Sequence, residues 1–129
     1  MMVWISAPRG AFFFLRIWRK HGPQKNRRRK IQMVTEIAQI EVKPGTEKDF
    51  EAAVAKAKPL FQRAKGGGGM ELHKSVEKPS RYRLFVKWDT VENHTVDFRG
   101  SEDFQAWRGL VGQYFASPPE VEHTETVVS

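Results

Sequence analysis

MELHKSVEKPSRYRLFVKWD, Met70 to Asp89, is the stretch that decides the fold. Two strand-like segments, MELHKSVE and RYRLFVKWD, flank the turn-forming KPS, so the stretch reads as an antiparallel hairpin. In its second half Tyr82, Leu84, Val86 and Trp88 recur at every second position. They therefore share one face of a strand. A strand with one apolar face needs a layer of structure over it, and the neighbouring segments have to supply that layer.

Upstream, TEIAQIEV (35–42) alternates, with Ala38, Ile40 and Val42 on one side and Ile37, Gln39 and Glu41 on the other. This is a first strand. KPG turns the chain, and Thr46 with Asp49 resembles a capping box. An apolar series then follows at Phe50, Ala53, Val54, Ala57, Phe61 and Ala64. The spacing predicts a helix that Pro59 kinks or divides and that Gly66 to Gly69 stop. The glycine run lacks the Lys-Ser/Thr pair of a phosphate loop and leads into a strand beginning at Met70, so it is expected to be a flexible helix-to-strand connector, a plain link with no site of its own.

Downstream, Asp89 and Thr90 are candidate caps for a short helix carrying Val91, His94 and Phe98 on one side. Ser101 is expected to cap a second helix, with Glu102 and Asp103 in its first turn. Its apolar face comprises Phe104, Trp107, Val111, Tyr114 and Phe115, and Arg108 lies on the same stripe. SPP ends it, and EVEHTETVV (120–128) is a last strand with Val121, His123 and Val127 on one face. The order strand, helix, strand, strand, helix, strand is an α+β, ferredoxin-like split βαβ repeat. It predicts a four-stranded antiparallel sheet with helices on one face. The other face is mixed in polarity and leaves room for a partner.

The 129 residues suit one domain, and the absence of cysteine excludes disulfides, a thiolate nucleophile and a Cys-ligated zinc site. The formal charge of +7 is not spread evenly: residues 1–32 hold 9 Lys and Arg and no acid, against 13 basic and 15 acidic groups in residues 33–129. The chain therefore divides into a basic N-terminal extension, 1–32, expected to be disordered, and a domain, 33–129, with no basic surplus for nucleic acid. Three readings of the extension stand side by side: a segment upstream of a true start at Met33, a transit peptide, or a basic arm for nucleic acid or anionic lipid. Met33 opens directly onto a strand pattern, which favours the first. The apolar run Ala11 to Trp18, broken by Arg16, is too short to span a membrane.

The opening MVTEIAQIEVKPGTEKDFEAAV (33–54), FVKW at 85–88, ENH at 92–94 and GSEDFQAW at 100–107 resemble the antibiotic biosynthesis monooxygenase family. The resemblance covers Met33 to about Val128. It implies a dimeric α/β barrel, hence a homodimer, and an activity among cofactor-independent oxygenases of phenols and quinols, haem-degrading oxygenases, or non-catalytic relatives. At the positions where haem-degrading members carry an Asn, a Trp and an axial His, this chain has Ala38, Phe98 and Arg108. Arginine supplies no axial donor to iron, so that branch is disfavoured.

The resemblance implies a pocket between sheet and helices, where the spacing sends His94, Phe98, Trp107, Arg108 and Phe115. There His94, with an ordinary pKa near 6.5, is the candidate base for a phenolic hydroxyl, and Arg108 is the candidate holder of the developing anion. Trp88, Phe98, Trp107 and Phe115 are the candidate aromatic contacts to a planar substrate. Against this, aromatic stripes at helical spacing commonly form core, and a lone histidine can be a hydrogen-bonded structural residue. His73, His94 and His123 lie on separate elements without metal-motif spacing, so no metal is expected. No Ser-His-Asp order or acid–base carboxylate pair stands out. The expectation is a cytoplasmic, cofactor-independent monooxygenase of small aromatics. The alternative is a non-catalytic small-ligand-binding or stress-response barrel. An open cavity reaching His94 would separate either from a side-chain-filled core.

Overall fold

The computed structural model describes residues 33–129, so the three readings of the basic extension concern residues outside those described. The first strand, β1 (Val34–Glu41), is followed by helix α1 (Glu47–Gln62) and by the hairpin β2 (Gly67–Lys74) and β3 (Arg81–Trp88). A π-helical turn (Asn93–Phe98), helix α2 (Glu102–Val111) and strand β4 (Glu120–Thr124) complete the order. The strands align as β2-β3-β1-β4, every pair antiparallel, as a ferredoxin-like repeat requires. Ala38 lies opposite Leu84 and Ile40 opposite Tyr82, which brings the two apolar faces into one surface beneath the helices. Val34, Tyr82, Leu84, Val86 and Trp88 are all buried there, against Phe50, Val54, Ala57 and Phe61 of α1. Tyr82 also ties sheet to helix, its hydroxyl donating to Glu51 Oε2 at 2.6 Å.

Several local expectations are corrected. The Thr46–Asp49 capping box does not form, because the Thr46 hydroxyl donates instead to the Lys43 carbonyl at 2.6 Å. That bond closes the KPG turn, and Glu47 Oε1 accepts the Gly45 N–H at 3.0 Å. Pro59 neither divides nor ends α1, which runs on to Gln62. Packing of Phe61 against the rings of Phe98 and Trp107, with centroids 5.0 and 4.9 Å away, holds the last turn despite the missing N–H.

The glycine run is no plain connector. Gly66 takes a left-handed conformation, φ 73°, and Gly67 already begins β2. A Cβ on Gly66 would collide with the Asn93 side chain, and one on Gly67 with the Phe61 carbonyl. Bare backbone is what lets the strand enter so close under the end of α1.

The short helix before α2 is wound as a π-turn, with the Arg99 N–H donating to the His94 carbonyl five residues back at 3.1 Å. Thr90 is its cap: Thr90 Oγ1 accepts the Asn93 N–H and Asn93 Oδ1 accepts the Thr90 N–H, both at 3.1 Å. Ser101 caps α2 as its sequence predicts, accepting the Phe104 N–H at 3.2 Å. α2 stops at Val111, however, so Tyr114 sits in a 3-10 turn and Phe115 bridges to Val42. β4 ends at Thr124, which leaves Val127 exposed and off the strand. No helix among the described residues is long and apolar enough to cross a membrane.

Candidate functional site

A cavity of about 560 Å³ lies between the sheet and the second half of the chain. Its floor is the inner face of β1 and β3, namely Glu36, Ala38, Ile40 and Leu84. Phe61, Phe98, Phe104, Trp107 and Phe115 form its walls, and His94, Arg99, Arg108, Val121 and the Ser117–Pro119 segment complete the lining. Five of the six residues singled out from the sequence, His94, Phe98, Trp107, Arg108 and Phe115, are brought together here. Trp88 is not: it is fully buried behind the wall and meets no ligand space. Its ring instead stacks on the His94 imidazole, centroids 5.3 Å apart and planes 15° from parallel.

The alternation of β1 holds one more residue, which sequence reading passed over. Glu36 shares the parity of Val34, Ala38 and Ile40, and so points into the core, 4% exposed. A carboxyl there needs partners. Trp88 Nε1 donates to Glu36 Oε1 at 2.9 Å, and His94 Nε2 lies 3.5 Å from the same oxygen. On its other side, His94 Nδ1 meets His123 Nε2 at 2.8 Å. The sheet register explains the third member, because Glu36 and His123 are cross-strand partners on β1 and β4. His94 descends from the π-turn and bridges them.

These surroundings change the protonation expected from sequence. Burial pushes the Glu36 carboxyl up to about 7, against the opposing pull of the Trp88 N–H and the Arg99 charge. Burial, then the His123 and Arg99 charges, push His94 down to about 4. Burial and Arg99 also lower His123. At neutral pH His94 is therefore an uncharged imidazole with one ring nitrogen donating and the other accepting. The group whose affinity for a proton matches neutral pH is Glu36. The idea that His94 titrates near its ordinary value does not survive its burial.

His94 turns its two ring nitrogens to different partners, so one ion cannot use both contacts, and the described residues contain no group of three ligands arranged around a common point. His73 lies on the far side of the sheet, beside Glu71 and Phe85. Arg108 rests over the Phe104 ring, 5.9 Å from its centroid, with its charged end at the cavity rim.

A family model described as antibiotic biosynthesis monooxygenase matches residues 33–110. The Bacillus subtilis (strain 168) protein YczJ is 39% identical over 95 residues, 74% of this chain and 100% of its own length. A crystal structure from Bordetella bronchiseptica, of the antibiotic biosynthesis monooxygenase type, is 59% identical with a TM-score of 0.74, covering 75% of this chain and 99% of that one. SnoaB of Streptomyces nogalater, a cofactor-independent oxygenase, has a TM-score of 0.66 at 16% identity, over 76% of this chain and 96% of its own. That last likeness is one of fold.

Proposed function

The chain belongs to the antibiotic biosynthesis monooxygenase family, and from that premise we propose that it oxidises a small phenol- or quinol-like aromatic with dioxygen and no resident cofactor. The observation that carries this reading is the open, aromatic-walled cavity with a buried carboxyl and imidazole at its floor. Glu36 takes the proton from the substrate hydroxyl, since its basicity matches neutral pH and it lies on the cavity surface. The resulting phenolate is far richer in electrons than the phenol and passes them to dioxygen. Oxygen joins the ring at carbon as a peroxide, and the O–O bond then breaks. One oxygen atom stays as the new quinone oxygen. The other leaves as water with the hydroxyl proton and the displaced ring hydrogen, so the substrate supplies every electron.

In this scheme His94 is a positioning residue that steadies Glu36 through the 3.5 Å contact while Glu36 returns the hydroxyl proton to the departing oxygen. Arg108 stabilises the ring oxyanion from the rim. Phe98, Trp107 and Phe115 bracket the planar substrate, and Trp88 acts only through the Glu36 and His94 side chains it holds.

The test is oxygen uptake by the purified protein with 1,4-dihydroxynaphthalene and a panel of phenols, without added flavin, metal or haem. Uptake above the autoxidation background is expected. Glu36→Gln should lower it about 10²- to 10⁴-fold, as for loss of a positioned proton acceptor, and His94→Gln should lower it less while moving its pH optimum. Background rates across the whole panel would overturn the oxygenase reading in favour of the ligand-binding barrel.

A further inference from the structure

The charge around the cavity is one-sided. Arg99, which leaves the π-turn, and Arg108, on α2, both line it, whereas Glu36 is the only acidic side chain in the lining among the described residues. Among the described residues no carboxylate comes within salt-bridge distance of either guanidinium. Two nearby acids are already engaged: Asp103 binds Arg63 at 2.7 Å, and Asp97 accepts from Asn93 at 3.1 Å. The Arg99 charge is felt at Glu36, His94 and His123 alike, so its field reaches into the cavity. Two unpaired, fork-shaped donors at the mouth of an apolar chamber form a receptor for a planar anion.

We propose that the cavity selects a hydroxyaromatic that carries a carboxylate, with the hydroxyl seated at Glu36 and the carboxylate held by Arg99 and Arg108. The hydroxyl end rests on the oxygenase reading above; the carboxylate end does not. The aromatic walls fit a fused ring system, and 560 Å³ is ample for one of naphthalene size. A phenol without the acid group would leave Arg99 without an anion and Arg108 with only the ring oxyanion to meet.

Titration calorimetry of the full-length protein with 6-hydroxy-2-naphthoate, its neutral 2-carboxamide and 2-naphthol tests this without turnover. The acid is expected to bind at least tenfold more tightly than either neutral ligand, and added salt should shrink that margin. The margin should fall in Arg99→Gln and in Arg108→Gln, survive partly in Arg99→Lys, and vanish in the double glutamine variant. The wild-type comparison of acid with amide needs no variant to fold. Equal affinities, binding of neither ligand, or a margin unchanged in a folded double variant overturns the proposal. A clear acid preference without oxygen uptake sustains the anion site while removing the oxygenase reading.

Discussion

Glu36 and His94 shift in opposite senses, and this gives the pair a signature in stability. Glu36 is raised from 4.5 to about 7. Its native-state advantage is therefore complete below pH 4.5 and is lost as pH rises through 7, on the order of 3 kcal/mol for the whole shift. His94 is lowered from 6.5 to about 4, so its advantage is complete above pH 6.5 and is lost as pH falls through 4. Between 4.5 and 6.5 the two slopes oppose, and the parent should show little pH dependence from them. Relative to the parent, Glu36→Gln should gain melting temperature as pH rises from 4.5 to 7. His94→Phe should gain as pH falls from 6.5 to 4. Flat difference curves for both variants would show that neither group is held in the protonation state described. Legibility in the sequence was uneven for this pair. His94 was visible as a histidine on an apolar helical stripe, but its weakened basicity came from burial against Trp88 and His123, which no local spacing encodes. Glu36 left a readable trace as a charged residue in phase with Val34, Ala38 and Ile40.

The π-turn and the glycine run show how elements position those side chains. Val91, His94 and Phe98 have a spacing that an α-helix satisfies equally well, so the sequence alone reads as α. The wider winding follows from tertiary demands: both His94 and Phe98 must reach Trp88, at ring distances of 5.3 and 5.4 Å. Asn93, which caps the turn through Thr90, is also the side chain that a Cβ on Gly66 would strike. Gly66→Ala is therefore expected to cost about 1–2 kcal/mol in urea unfolding from its left-handed backbone, and to weaken ligand binding by moving the turn. Gly69→Ala meets nothing within 4 Å and should be close to neutral. Equal tolerance at the two positions would restore the plain-connector reading. The caps divide similarly. Ser101 was readable because its β-region backbone leaves the hydroxyl over the first turn, whereas Thr46 was misread because a nearer carbonyl, that of Lys43, took its hydroxyl.

At the scale of the molecule, strand order was legible because a split βαβ repeat with a hairpin in its middle leaves few un-knotted arrangements. What meets the outer face of the sheet was not, since that face alternates apolar and charged groups. Ile37 and Phe85, cross-strand partners at its centre, are half-buried, with Glu71, Arg83, Lys87 and Glu122 around them. β2 and β4 are edge strands, and edges of this kind are open to pairing with another chain. A second copy stacked on this face would cover Ile37 and Phe85 with their own equivalents, which is the self-complementary geometry of a two-fold dimer. The protein is accordingly expected to sediment at micromolar concentration with twice its 14.9 kDa chain mass. Ile37→Lys should return it to a single chain mass while leaving the inner face, and hence the cavity floor at Glu36 and Ala38, in register. A parent that sediments as a monomer would remove the dimeric barrel and leave the ferredoxin-like subunit alone. A dimer indifferent to Ile37→Lys would move the contact from the sheet face to an edge strand.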